Sequence, residues 1–298
     1  MPLHIVTVAN KSQYYYPYLV QSCKDNGIAL EVLGFGETFE GLNWKNKKMI
    51  DYLKTKGQRD LVCFIDGFDV ICVRNLQQLE AAYQEIQAQT GCKIAVAEDR
   101  RSPGLDWMAT LYFGTCKNQS INSGTYIGYA PDLLSVIEAT YALNPTNDMS
   151  DQISLTNYCK QDPNAFYIDT EAKLFLTLLY PLQDLRPHIV LEKGVVTYKG
   201  ERPFFVHAAG YGFLDTLLQD LGYSVDDTIQ NSLWRNFFTN KILMYFRYVC
   251  RMIWLPVLIL LVVLTGIYYR RDLQQFIKRS LSSNRDAKSI IRFNRGGS

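Results

Sequence analysis

Residues 61–73 read LVCFIDGFDVICV. The run Leu61–Ile65 is apolar without a polar alternate, the pattern of a strand covered on both faces. It ends on two carboxylates three apart, Asp66 and Asp69. An unpaired charge beside such a strand costs about 3 kcal/mol in real proteins, so the pair calls for a cationic partner. Asp66-Gly67 by itself suits a two-residue hairpin turn, with Phe68–Val73 as the returning strand. The other reading sets Asp66 at the carboxyl end of a central strand, where α/β sheets bind ligands, and Asp69 on the following loop facing the same space. Two hard oxygen ligands with room for phosphate oxygens suit Mg²⁺ or Mn²⁺ beside a diphosphate. A phosphohydrolase with an aspartate nucleophile would set its pair two apart.

Outward from this stretch, short apolar runs alternate with segments of helical length, which predicts an α/β fold, a Rossmann-like mixed sheet flanked by helices. Strands are expected at Ile5–Ala9, Ala29–Leu33, Leu61–Ile65, Ile94–Ala97, Thr125–Tyr129 and Phe204–His207. Helices are expected at Tyr15–Asp25, Lys47–Lys56, Leu76–Ala88, Asp132–Leu143, Asp151–Cys159 and Phe213–Leu221. Segments 98–122 and 180–202 read as long loops, which in such folds carry function.

The chain has 298 residues and a formal net charge of +2. That small value hides a division. Residues 235–298 hold 12 of the 31 basic residues and 2 of the 29 acidic ones, leaving an acidic body. Such a body argues against a nucleic-acid groove, while the basic tail suits anionic lipid headgroups. Within the tail, Met252–Tyr269 is uncharged for 18 residues. As a helix it would reach about 27 Å, close to a bilayer core, with Trp254, Tyr268 and Tyr269 in aromatic-belt positions. The expected organisation is a catalytic domain over 1–225, a basic juxtamembrane linker over 226–251, a transmembrane helix over 252–269 and a basic tail over 270–298. The N-terminus MPLHIVTVAN shows no charged segment followed by a long apolar stretch and reads as a first strand. The seven cysteines lack CxxC spacing and read as reduced core residues.

Seven stretches carry a family resemblance: IVTVANKS (5–12), LEVLGFGETFEG (30–41), LVCFIDGFDVI (61–71), NSGTYIGYA (122–130), SDQISLTNYC (150–159), IDTEAKLFLTL (168–178) and FVHAAGYG (205–212). In this order, over roughly residues 3–222, they resemble the glycosyltransferase domain of the procollagen lysyl hydroxylases. The resemblance implies a GT-A fold, Mn²⁺ and a nucleotide sugar. By position it implies Asp66, Asp69 and His207 as metal ligands. It sets Thr7, Val8, Ala9, Asn10 and Phe68 against the nucleoside. Lys47 and Lys48 could approach the diphosphate or equally be solvated helix lysines, Ser123 offers a polar group to a sugar, and Gly124 and Gly210 permit close backbone approach or movement there. Asn122, Asp151 and Gln152 would act over the sugar. A neutral imidazole is an acceptable third ligand for Mn²⁺, and a carboxylate at Asp151 can bind donor hydroxyls or stabilise charge at the anomeric carbon. Helix capping explains Asp148 or Asp151 equally well.

Two departures stand out. The family's run of adjacent acids is interrupted as Asp148-Met149-Ser150-Asp151, and its histidine is followed by Ala208-Ala209. The expected function is transfer of a hexose, glucose or galactose, from a UDP-sugar to an acceptor hydroxyl on a glycan or a glycosylated hydroxylysine, and the resemblance implies retention of configuration. The alternatives are a membrane-tethered sugar-nucleotide or carbohydrate-binding protein of weak catalysis, and a metal-dependent phosphohydrolase. Four Lys/Arg in 232–251 against six in 270–289 set the C-terminus in the cytosol. The unpaired cysteines and the lack of a visible signal favour a cytosol-facing catalytic domain instead, while the family resemblance points toward a lumen.

Overall fold

The computed structural model describes residues 2–41, 43–104, 106–144, 149–270 and 274, with the side chains of 240–253 and 255 outside the description. The chain divides into two compact units, 1–235 and 236–298.

In chain order the first unit runs β1 (Leu3–Val8), α1 (Tyr16–Asp25), β2 (Leu30–Leu33), α2 (Trp44–Leu53), β3 (Leu61–Ile65), β4 (Val70–Cys72), α3 (Leu79–Thr90), β5 (Ile94–Glu98), β6 (Arg100–Arg101) and α4 (Asp106–Phe113). It continues with β7 (Ile121–Tyr129), α5 (Ala130–Ala142), α6 (Asp151–Gln161), β8 (Phe166–Asp169), β9 (Phe175–Leu179), β10 (Val190–Glu192), β11 (Val195–Thr197), β12 (Phe205–His207), α7 (Asp215–Asp220) and α8 (Thr228–Asn236).

The larger sheet has the order β2-β1-β3-β7-β5-β8. β3 lies parallel to β1 and antiparallel to β7. Its position explains its composition, because all five of its residues are buried. Side chains alternate between two cores, as strand geometry requires. Val62 and Phe64 pack with α2, α5 and α6 residues such as Met49, Ile137 and Leu155. Leu61, Cys63 and Ile65 pack with Leu19 of α1 and Tyr83 of α3. A second sheet, β4-β12-β9-β6, and a hairpin of β10 with β11 complete the unit, with α7 and α8 closing a third core.

The hairpin alternative for Asp66-Gly67 fails. β4 leaves β3 altogether and pairs with β12 in the second sheet, Val70 opposite His207. Residues 66–69 therefore bridge the two sheets at the end where β3 and β12 both finish. The expected loop 98–122 contains α4, and 180–202 contains the β10–β11 hairpin. The cysteine reading is corrected in one place. Cys116 and Cys159 form a disulfide, while Cys23, Cys63, Cys72 and Cys92 are free and buried.

In the second unit, α9 (Leu243–Tyr268) carries most of the expected Met252–Tyr269 span, with Pro256 inside it. That expectation falls partly on side chains outside the description, and among the described residues no helix is long and apolar enough to cross a membrane. The tail expected over 270–298 lies almost entirely outside the described residues, as does Asp148.

Candidate active site

Asp66 follows directly on β3, and its N–H donates to the Gly124 carbonyl at 2.7 Å. This holds the loop against β7. Asp69 is held from the other side, because its carbonyl accepts from Ala208 N–H at 2.8 Å. His207 ends β12. One ligand atom from each of Asp66, Asp69 and His207 lies within 4.8 Å of the other two.

His207 Nε2 is 3.2 Å from Asp69 Oδ1, and its Nδ1 is 3.4 Å from Thr177 Oγ1. Were Nδ1–H to donate to Thr177, Nε2 would be left to serve a metal between it and the carboxylates, the usual arrangement of a metal-binding imidazole. Burial works against the charged imidazole, but Asp69 outweighs it and the pKa is raised. Asp66 is also raised, first by burial, with Lys45 opposing.

The donor set fits a divalent ion of the Mn²⁺ or Mg²⁺ kind in type. Gly124 supplies a separate structural test. A Cβ there would collide with His207 Cε1 and lie 2.7 Å from Asp66 Oδ2. Glycine at this position is what lets the carboxylate and the imidazole meet.

The cation demanded by the opening stretch is Lys45, which the sequence reading passed over. Its Nζ lies 3.2 Å from Asp66 Oδ1, pairs closely with Asp151 Oδ2 and sits 5.2 Å from the Phe64 ring centroid. α2 is fixed at this end by Asn43, whose side chain donates to the Asn144 carbonyl at 2.9 Å. Lys47 and Lys48 point elsewhere, toward Glu40 and Glu37 on the surface. A signal for Lys45 was present. A cation in the first turn of a helix opposes the helix dipole, so its presence implies an anionic partner.

Asp151 begins α6, whose cap is Ser150, accepting from Gln152 N–H at 3.3 Å. Asp151 is therefore not that cap. Asp151 accepts from Ser123 Oγ at 2.8 Å. Burial pushes its pKa up, but Lys45 and the hydrogen bonds hold it below the usual carboxylate value. Asn122 and Gln152 converge on a second buried carboxylate, Asp99, each donating at 3.2 Å. Arg101 Nε lies 3.3 Å from the same group. Asp99 was not singled out in the sequence, and it orients both side-chain amides.

Thr7 and Val8 end β1, and Ala9 and Asn10 follow it, next to this loop. A Cβ on Gly67 would lie 3.0 Å from Thr7 Oγ1, 3.1 Å from Ala9 Cβ and 3.2 Å from the Val8 carbonyl. Asn10 accepts from Gly36 N–H at 2.9 Å through its carbonyl. Phe68 is half-buried on the loop. Gly210 has φ 67°, and any Cβ there would collide with Leu179 Cδ1.

No curated protein sequence matches the chain. The crystal structure of a glycosyltransferase involved in the glycosylation of the major capsid of PBCV-1 aligns over 79% of this chain and 100% of its own, at 10% identity and TM-score 0.41. So distant a likeness carries no argument about the chemistry. The family model of the PLOD GT domain matches residues 1–232. The chain belongs to the PLOD family of glycosyltransferase domains.

Proposed function

We propose that this protein is a metal-dependent glycosyltransferase of GT-A type that moves a hexose, glucose or galactose, from a UDP-sugar to an acceptor hydroxyl with retention of configuration. The observation that carries the reading is the convergence of Asp66, Asp69 and His207 within 4.8 Å in a chain of a glycosyltransferase family. These three would hold Mn²⁺ or Mg²⁺, which when bound supplies Lewis-acid neutralisation of the departing UDP.

The chain's own residues do the rest. Thr7 to Asn10 and Phe68 line the nucleoside end, and Ser123, Gly124 and Gly210 allow close approach of phosphate and sugar. Asp151, kept ionised by Lys45 and oriented by Ser123, presents negative charge where the anomeric carbon becomes positive. Asn122 and Gln152, fixed through Asp99, offer hydrogen bonds to sugar hydroxyls. The acceptor is a glycan or protein hydroxyl, with glycosylated hydroxylysine as the family's example.

We further propose that Met252–Tyr269 anchors the protein in a membrane. The described side chains from Val257 to Leu264 are exposed and apolar, a surface suited to lipid. The Cys116–Cys159 bridge favours an oxidising compartment for the first unit, the opposite side from the cytosolic one favoured by the sequence.

The test is UDP release across nucleotide sugars with Mn²⁺ and with a chelator. Mn²⁺-dependent release from UDP-glucose or UDP-galactose supports the reading. Tight UDP binding without turnover would favour the binding-protein alternative, suggested by Ser150 where the family has an acid. Phosphate release from simple phosphoesters would favour the phosphohydrolase.

A further inference from the structure

Two tripeptides of the form Asn-x-Ser occur in the chain, Asn10-Lys11-Ser12 and Asn118-Gln119-Ser120. This is the acceptor pattern for an Asn-linked oligosaccharide, which is added to secretory-pathway proteins at surface positions. Asn144-Pro145-Thr146 comes close but is spoiled by its proline.

The two asparagines differ in their surroundings. Asn10 follows β1 and is half-buried, and its carbonyl accepts from Gly36 N–H at 2.9 Å. An oligosaccharide there would fill the end of β1 that the candidate site uses. Asn118 is exposed. It stands in a two-residue turn between Cys116 and Gln119, which exchange backbone hydrogen bonds of 2.9 and 2.8 Å. Lys117 and Asn118 have φ 51° and 60°, the positive values of a type I′ turn, where asparagine is favoured. The turn is pinned on two sides, because Cys116 is bridged to Cys159 of α6 and Lys117 donates to the Phe166 carbonyl at 2.7 Å. Turn geometry accounts for the asparagine but not for the serine. The Ser120 hydroxyl makes no hydrogen bond among the described residues, and it is the second half of the acceptor pattern.

We propose that Asn118 is a modification site that carries an Asn-linked oligosaccharide. The proposal rests on the oxidising-compartment reading of the Cys116–Cys159 bridge. The co-reactant is an oligosaccharide linked to a lipid diphosphate, presented by the transferring enzyme of that compartment. Asn118 Nδ2 loses a proton and bonds to the anomeric carbon as the bond from that carbon to the diphosphate breaks, and the lipid diphosphate leaves. At an exposed turn the glycan extends into solvent and displaces no packed side chain. Asn10 stays bare, because the end of β1 has to remain open to the donor.

The experiment expresses the full-length chain in cultured animal cells and compares its gel mobility before and after an amidase that releases Asn-linked glycans. The amidase converts the modified asparagine to aspartate, which peptide mass spectrometry locates. Wild type should shift by one glycan, mapped to position 118. Asn118→Gln and Ser120→Ala should both lose the shift, while Asn10→Gln and Ser120→Thr should keep it. Ser120→Ala leaves both turn residues in place, so it reads the site even where Asn118→Gln fails to fold. Thiol labelling of the same wild-type sample separates two ways of failing. No shift with Cys116 and Cys159 protected overturns the site and spares the compartment reading. No shift with both cysteines labelled overturns both. A glycan mapped to Asn10 alone also overturns the site.

Discussion

Lys45 Nζ and Asp66 Oδ1 stand 3.2 Å apart at the end of β3, and the same ammonium pairs with Asp151. One cation thus serves both the loop that carries the candidate metal ligands and the helix that carries the candidate sugar-facing acid. The carboxylates of Asp66, Asp69 and Asp151 could not share this space at low cost without it.

Lys45→Ala should therefore lower stability by about 3 kcal/mol, the scale for removing one partner of a buried pair. Mn²⁺ should restore more stability in this variant than it adds to wild type, because the ion would replace the missing charge. Thermal unfolding with and without Mn²⁺ measures both. A smaller Mn²⁺ response in the variant than in wild type would show that lysine and metal do not serve the same carboxylates.

Asp151→Asn should reduce transfer about tenfold or more while UDP affinity changes little, as expected for a group acting on the sugar. Asparagine keeps the size and can still accept from Ser123, so steady-state kinetics paired with UDP titration separates chemistry from folding. Equal losses in both would assign Asp151 to binding. The companion variant Ser150→Asp restores the family's adjacent acid and tests donor preference.

The Cys116–Cys159 bridge links the segment after α4 to the C-terminal half of α6. It closes a sequence separation of 43 residues. Cys116→Ser should cost about 2–4 kcal/mol, read from urea unfolding. In protein unfolded without reductant, thiol labelling should miss Cys116 and Cys159 until reductant is added. Labelling of both in freshly isolated protein would remove the argument for an oxidising compartment.

Glu31 on β2 gives a pH signature away from the site. It accepts from Tyr52 at 2.7 Å and lies 2.8 Å from His4 Nδ1 and 3.5 Å from Lys56. Burial opposes its ionisation, but these three partners hold its pKa below the usual glutamate value. A carboxylate lowered in the fold adds stability above its unfolded pKa of about 4.3 and loses it as pH falls through the folded value. Because the group is partly exposed, the contribution stays below about 1 kcal/mol. The stability gap between wild type and Glu31→Gln should be present at pH 7 and shrink below pH 4. A gap that widens on acidification would contradict this sign.

The central strands were legible because β3 and β5 are buried on both faces and so read as unbroken apolar runs. β8 and β9 escaped notice, since four-residue and five-residue strands joined by a polar turn lack a period to detect. β4 was visible as an apolar segment, but its pairing was not, because a strand that changes sheets looks the same locally as one that turns back. Asp66, Asp69 and His207 could be matched by motif, whereas their meeting depends on β4 and β12 pairing across more than a hundred residues. Lys45 was hidden beside Lys47 and Lys48 because the helix was expected from Lys47, whereas it starts three residues earlier, at Trp44 after Asn43. The disulfide had no local signal, as its cysteines meet only once residue 116 is carried onto α6.

If the protein works as proposed, Asp66, Asp69 and His207 hold the ion that grips the donor diphosphate. Anomalous diffraction from crystals grown with Mn²⁺ and UDP tests it most directly. The predicted result is one Mn²⁺ peak bonded to a carboxylate oxygen of Asp66, one of Asp69 and Nε2 of His207, with UDP oxygens completing the shell. UDP bound with no Mn²⁺ at this cluster, or Mn²⁺ bound with His207 still paired only to Asp69, would contradict it.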